Sequence, residues 1–185
     1  MLMTLPFLGN RPYLHSTTLL DALLEAHPLQ GSFIFKVEKP IFSDCVSVST
    51  VAGHHSASLA SQGVCLYVTE CSQSARPHRE EFDEEAIAGA VTREEASRFF
   101  LKKTGNHSFV ALTVAAFKHV LLTHFPVPQV SGHWAFIRAD FTDVPKHSFA
   151  HIGFGNIYCR GTMAKCEVEQ DNMSACTVYF SWIDF

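Results

Sequence analysis

The longest apolar run in the chain covers residues 109–125, FVALTVAAFKHVLLTHF, and it limits the fold more than any other segment. Its large apolar residues recur close to a 3.6-residue period, which predicts a buried α-helix; they are Val110, Val114, Phe117, Leu121 and Leu122. Val127-Pro128 is predicted to end this helix. Almost everything after it is patterned as strands. The sequence therefore predicts an α+β fold, with a central helix wrapped by a curved antiparallel sheet.

The rest of the chain is predicted as follows. Residues 1–15 are irregular, and a helix over 18–27 has Ser16, Thr17 or Thr18 as its cap and Asp21 in its first turn. Another helix runs from Thr92 to Lys102 or Lys103, because Thr92-Arg93-Glu94-Glu95 has the form of a capping box. Strands are predicted over 32–37, 45–51, 58–71, 132–141, 148–154, 157–169 and 174–184, with Asp171-Asn172 as the turn between the last two.

A helix followed by strands occurs twice in this order. Gly9-Asn10 precedes the first helix, and Gly105-Asn106 precedes the long one. Few residues match between the two halves, so two interpretations stay open. The chain is either two half-units, over 1–80 and 81–185, or one domain over 1–185.

Composition excludes several classes of protein. The 185 residues are 47% hydrophobic and 17% charged, which is enough for a folded core. A net charge of −4 gives no basic surface for nucleic acid. No segment reaches the ~18 uncharged apolar residues of a membrane span, and Pro6 interrupts an N-terminus that lacks the basic start of a secretory signal. The six cysteines form no CxxC pair, which favours free thiols and a cytoplasmic protein.

Leu20-Asp21-Ala22-Leu23 resembles the Leu-Asp-Ala segment in the central helix of β-hydroxyacyl-ACP dehydratases, which have the hot-dog fold. The resemblance implies that Asp21 is a catalytic carboxylate whose partner is a histidine from the neighbouring hot-dog unit. The segment 9–15 and Thr104-Gly105-Asn106 resemble the Gly-Asp…Pro-Ile-His motif of MaoC-like enoyl hydratases. Two departures stand out. Asn10 and Asn106 replace the hydratase aspartate, and the position of the dehydratase histidine falls on Phe7. Together these segments imply a divergent hot-dog protein, and a tandem one if the repeat is real.

Three residues are candidates for catalysis: His15, Asp21 and His107. Each histidine precedes a predicted helix, whose N-terminal dipole disfavours the imidazolium and leaves the neutral ring that a general base needs. The alternative is that Asp21 is an ordinary helix residue and both histidines are surface residues. No standard zinc spacing occurs among the remaining histidines, so neither a metal nor another cofactor is predicted.

Two functions of different classes stay open. The first is an enzyme on acyl thioesters, a dehydratase (a lyase) or a thioesterase of fatty acid or polyketide metabolism, with acyl-ACP or acyl-CoA as substrate. The second is a non-catalytic acyl-binding or assembly protein of the same fold, which the asparagines at 10 and 106 favour. A homodimer is compatible with both. If the halves form an internal dimer, Asp21 serves one cleft with His107, and His15 either faces the other cleft or assists locally. The position matching Asp21 is then predicted near Phe117 or Lys118.

Overall fold

The computed structural model describes residues 1–9, 11–72, 78–95, 97–126 and 131–183. Asn10, the predicted helix stop at Val127-Pro128 and Asp184 lie outside these ranges.

Helices and strands follow one another along the whole described chain. The first elements are β1 (Leu2–Thr4), β2 (Phe7–Leu8), α1 (Ser16–Ala26), β3 (Phe33–Val37), β4 (Cys45–Ser49), β5 (Ala57–Ser61) and β6 (Val64–Glu70). The later elements are β7 (Arg79–Glu80), α2 (Glu84–Gly89), β8 (Val91–Glu95), β9 (Arg98–Lys102), α3 (Phe109–His124), β10 (His133–Phe141), β11 (His151–Arg160), β12 (Met163–Gln170) and β13 (Met173–Ile183).

One long antiparallel sheet dominates the structure. Within the described residues it has eleven strands, in the order β1-β4-β6-β5-β3-β10-β13-β12-β11-β9-β8. β3 pairs with β10 near the middle of the sheet, with Phe33 opposite Phe141. The strands on the β3 side come from the first part of the chain, and those on the β10 side come from the second. This sheet, with its helices, confirms the predicted α+β class.

Helix α3 lies in the core, as the apolar run predicts. Ser108 caps it, because its hydroxyl oxygen accepts the Ala111 N–H at 3.0 Å. The Phe117 side chain is fully buried, and its ring contacts Phe154 of β11 and Phe180 of β13, at 6.2 and 5.3 Å between centroids. Helix α1 buries Leu19, Leu20 and Leu23 in the same core. The prediction for Leu122 is wrong, because its side chain is 46% exposed.

The predicted helix from Thr92 is wrong. Residues 91–102 form the β8–β9 hairpin, in which alternate side chains of β9, Phe99 and Leu101, are buried. β9 also pairs with β11, so a place in the sheet overrides the local capping-box pattern. The helix of this region comes earlier, as α2, where the Asp83 carboxylate accepts the Ala86 N–H at 2.9 Å.

The structure also corrects the beginning of the chain. Two short strands replace the irregular segment predicted over residues 1–15: β1 pairs with β4, and β2 pairs with β7. Helix α1 begins at Ser16 with His15 as its N-cap, and the His15 side chain makes no capping hydrogen bond. Asp21 therefore lies in the second turn of α1.

Turns account for the remaining differences. The strand predicted over 58–71 is the β5–β6 hairpin, which turns at Gly63 with a φ of +79°. The break predicted between 154 and 157 is a bulge inside β11 at Asn156, where φ is 48°. The predicted Asp171-Asn172 turn is confirmed, with both residues at positive φ, as a two-residue hairpin turn requires.

Candidate active site and an adjoining cavity

Asp21 is a largely buried carboxyl between the two long helices. It belongs to α1, and its side chain interacts with Ser108, the residue that caps α3. Burial raises the pKa of Asp21 to about 6, whereas the hydrogen bond from Ser108 and the nearby His147 lower it. A carboxyl with a pKa in this range can act as an acid or as a base near neutral pH.

The Ser108 hydroxyl connects Asp21 to the start of α3. Its oxygen accepts the Ala111 N–H, so its own proton is left to donate to the Asp21 carboxylate. The Ser108 carbonyl also accepts the Leu112 N–H at 3.1 Å. The first turn of α3 therefore holds Ser108 in place, and Ser108 orients the carboxylate of α1.

His147 is the histidine that acts electrostatically on Asp21. It lies in the loop between β10 and β11, where its carbonyl accepts a hydrogen bond from the Lys103 ammonium at 3.2 Å. No local sequence pattern links His147 to Asp21, because only the folded position of this loop brings His147 to α1.

The Phe82 ring lies against both predicted histidines. Its centroid is 5.8 Å from that of His15 and 5.0 Å from that of His107, with edge-to-face geometry in both cases. His107 is half-buried and directly precedes Ser108, so it adjoins the Asp21 side of the site. His15 is 9% exposed, so the alternative of a surface position is wrong for this residue. Burial and the Arg11 charge lower the pKa of His15 to about 4, which leaves the ring neutral at pH 7.

A cavity of about 190 Å³ lies beside His15, which we call the His15 cavity. It is lined by the start of α1, by buried and half-buried residues of α3, and by the strands β10 and β13. Among the described residues that line it, neither Asp21 nor His107 occurs. The three predicted residues are therefore not gathered around this cavity. His15 lines it, whereas Asp21 of α1 lies beside Ser108, the N-cap of α3.

Asp21 of α1 and Val114 of α3 occupy matching positions relative to the N-caps of their helices. Asp21 is the sixth residue after His15, the N-cap of α1, and Val114 is the sixth after Ser108, the N-cap of α3. Val114 lines the His15 cavity. By this count Val114 matches Asp21, rather than Phe117 or Lys118 as predicted from sequence. An apolar side chain thus stands at the position in α3 that holds a carboxylate in α1.

Arg11, Glu84 and Lys118 form one group of interacting charges at the His15 cavity. Glu84 pairs with the Arg11 guanidinium through one carboxylate oxygen, and its other oxygen is 3.5 Å from the Lys118 ammonium. Burial and Arg11 lower the pKa of Lys118, whereas Glu84 raises it. One carboxylate is therefore shared between two cations.

Within the described part of the chain, no group of three or more His, Cys, Asp or Glu side chains has the arrangement of a metal site. The described helices are also too short or too polar to cross a membrane.

No protein-family model matches the chain, and a search of curated proteins finds no match. Solved structures with similar folds include a conserved protein of unknown function with a hot-dog fold from Alicyclobacillus acidocaldarius, at a TM-score of 0.49 and 11% identity over 95% of this chain and 89% of that one. A protein provisionally named thioesterase II from Thermobifida fusca has a TM-score of 0.45 at 8% identity, over 95% and 89% of the two chains. The dehydratase domain of RzxB from Pseudomonas fluorescens has a TM-score of 0.44 at 11% identity, over 98% and 92%. All three structures are at most 11% identical to this chain, with TM-scores below 0.5.

Proposed function

We propose that the chain is an enzyme that acts on acyl thioesters, with Asp21 as its catalytic carboxyl. The observation that carries this proposal is the buried Asp21 side chain at the cap of α3, whose pKa of about 6 lies close to neutrality. Such a carboxyl exchanges protons readily at the pH where it works. The resemblance of Leu20-Asp21-Ala22-Leu23 to the dehydratase helix points to the same residue.

Two reactions fit a carboxyl in this place. In a thioesterase, the Asp21 carboxylate takes a proton from water as the water attacks the thioester carbonyl, and the first backbone amides of α3 stabilise the oxyanion. In a dehydratase, protonated Asp21 gives its proton to the leaving hydroxyl while a histidine removes the α-proton. His107, next to Ser108, is the proposed histidine, and His147 is a second candidate because it lies near enough to Asp21 to act on it electrostatically.

We also propose that residues 1–80 and 81–185 are two hot-dog-like halves. The sheet order supports this division, because each part supplies a helix and a run of neighbouring strands, and the runs meet at β3 and β10. Gly9 and Gly105, which precede the helices, have φ angles of 58° and 59°. The halves differ in the order of their neighbouring strands. The first half has the order β4-β6-β5, whereas the second has β11-β12-β13 in chain order.

The proposed substrate is acyl-ACP or acyl-CoA, handled in the cytoplasm by a monomer or a homodimer. All six cysteines are free, which is compatible with a reducing compartment.

The test is turnover of acyl-CoA and acyl-pantetheine thioesters, followed by thiol release for hydrolysis and by enoyl absorbance for dehydration. Asp21→Asn keeps the shape and removes the acid–base group, so turnover should fall by about two orders of magnitude. Glu25→Gln is the matched control, because Glu25 is an exposed carboxylate on the same helix, and it should keep wild-type turnover. Equal turnover by wild type and Asp21→Asn would remove Asp21 from the mechanism.

The alternative is a non-catalytic acyl-binding or assembly protein. Val114 favours this non-catalytic function, because it gives the His15 cavity an apolar side chain at the α3 position that matches Asp21 of α1. Saturable binding of acyl-CoA without turnover of any thioester would select this function.

A further inference from the structure

The His15 cavity has apolar walls. Leu14, Leu19 and Phe180 line it and are at most 4% exposed. Its volume of about 190 Å³ is below the ~300–1,000 Å³ of most ligand pockets, which indicates a small ligand.

Three buried polar atoms belong to residues that line the same cavity. They are Nε2 of His15, Oγ1 of Thr17 and Nε1 of Trp134, and none has a hydrogen-bond partner among the described residues. Thr17 and Trp134 are each 2% exposed. Buried polar atoms are nearly always paired, so three unpaired ones at one cavity call for a partner inside it. Because an indole N–H can only donate, that partner has to carry an acceptor.

The charges around the cavity indicate which acceptor fits. Arg11 and Lys118 share the single carboxylate of Glu84. The separation of 3.5 Å from Lys118 is longer than the ~2.7–2.9 Å of a charge-assisted hydrogen bond, so the ammonium keeps donors to spare. Glu38 and Lys39 also line the cavity, at its exposed rim, and their opposite charges offset each other. A second carboxylate would therefore complete the pairing of the two cations.

We propose that the His15 cavity binds a small carboxylic acid with an apolar body, at a site separate from Asp21. The carboxylate of the acid lies beside the Lys118 ammonium and accepts from nearby donors that include the Trp134 indole N–H. The apolar body of the acid packs on Leu19, Val114 and Phe180. This inference goes beyond the proposed function, because it assigns binding rather than catalysis to the His15 cavity. At that cavity, α3 has Val114 at the position where α1 has the Asp21 carboxylate.

Isothermal titration of the full chain with octanoate and 4-phenylbutanoate tests the proposal and distinguishes aliphatic from aromatic acids. At least one of the two should bind with one-to-one stoichiometry and quench Trp134, observed in a Trp182→Phe background. Octanamide, which keeps the body and removes the charge, should bind at least about tenfold more weakly than octanoate. Absence of saturable binding by both acids, or equal affinity for acid and amide, would overturn the proposal.

Variants locate the bound acid. Lys118→Gln should weaken acid binding about tenfold and leave amide binding unchanged. Lys36→Gln is the control, because Lys36 is an exposed lysine of β3 that does not line the cavity. Val114→Phe should fill the cavity and abolish binding of acid and amide alike. Unchanged affinity in both Lys118→Gln and Val114→Phe would place the acid elsewhere and overturn the assignment.

The Asp21→Asn variant separates this inference from the proposed function. Because Asp21 does not line the cavity, the variant should bind the acid with wild-type affinity even where turnover is lost. Loss of acid binding in Asp21→Asn would show a single site and overturn the separation.

Discussion

Val114 occupies in α3 the position that Asp21 occupies in α1, six residues after the helix cap. Asp21 reaches the cap of α3, whereas Val114 lines the cavity beside the cap of α1. The two ends of the helix pair therefore differ in chemistry: one presents a titratable carboxyl, and the other presents an apolar wall next to a neutral histidine.

Asp21 should cost the protein stability at neutral pH. The folded-state pKa of about 6 lies above the ordinary value of 3.8, so folding favours the protonated form. This contribution is present below about pH 4 and is lost as the pH rises through about 6. Asp21→Asn should therefore raise the free energy of unfolding by about 1–3 kcal/mol at about pH 7.5, with little change at about pH 3.5. Thermal melts at both pH values measure this difference.

Glu25→Gln is again the matched control and should show no such pH-dependent gain. A melting temperature for Asp21→Asn that matches wild type at about pH 7.5 would mean that the folded structure does not raise the pKa of Asp21.

Ser108→Ala should have two separate effects. Loss of the helix cap should lower stability by about 1 kcal/mol. Because the Ser108 hydrogen bond lowers the pKa of Asp21, its removal should also move the Asp21 titration to higher pH. Carbon-13 NMR of the Asp21 carboxyl measures this shift. Asp83→Ala removes the cap of α2, so it should lower stability and leave the Asp21 titration in place.

Two positions on α3 should differ in their tolerance of a carboxylate. Phe117 is fully buried between two rings of the sheet, so Phe117→Asp should place an unpaired charge in the core and prevent folding. Val114 is half-buried at a cavity, so Val114→Asp should give folded protein of reduced stability. Soluble yield and thermal melting compare the two variants. Equal tolerance of both substitutions would contradict the burial pattern of α3.

The six cysteines should titrate as six free thiols in denatured protein prepared without reductant. Cys45 and Cys71 are the two cysteines placed to form a disulfide under oxidising conditions. The Cys71 N–H donates to the Cys45 carbonyl at 2.9 Å, which places the two residues opposite each other. A count of four, with a Cys45–Cys71 crosslink in the peptide map, would contradict the prediction and indicate oxidising surroundings.

The sequence predicts best where local signals and burial agree. Helix α3 has an apolar period and a capping serine, and the Asp171-Asn172 turn has residues that tolerate positive φ. The capping-box prediction at Thr92 fails because pairing of β9 with β11 decides the structure there.

Part of the candidate site is likewise predicted from the sequence, and part depends on the folded structure. Asp21 is predicted from the resemblance of its helix segment and His107 from its place before α3, and the structure contains a largely buried carboxyl next to a cap residue at Asp21. Neither the His15 cavity nor the role of His147 follows from the sequence, because both depend on distant strands and loops coming together. His147 and Asp21 are far apart in the chain, and no local pattern links them.

The pairing of β3 with β10 has a consequence for how the chain assembles. Phe33 and Phe141 are roughly a hundred residues apart, so closing this loop is entropically costly and should come late in folding. Until it closes, both strands expose unpaired backbone groups along an edge. At high concentration the β3 of one molecule can then pair with the β10 of another, and the result is a domain-swapped dimer built from the same contacts.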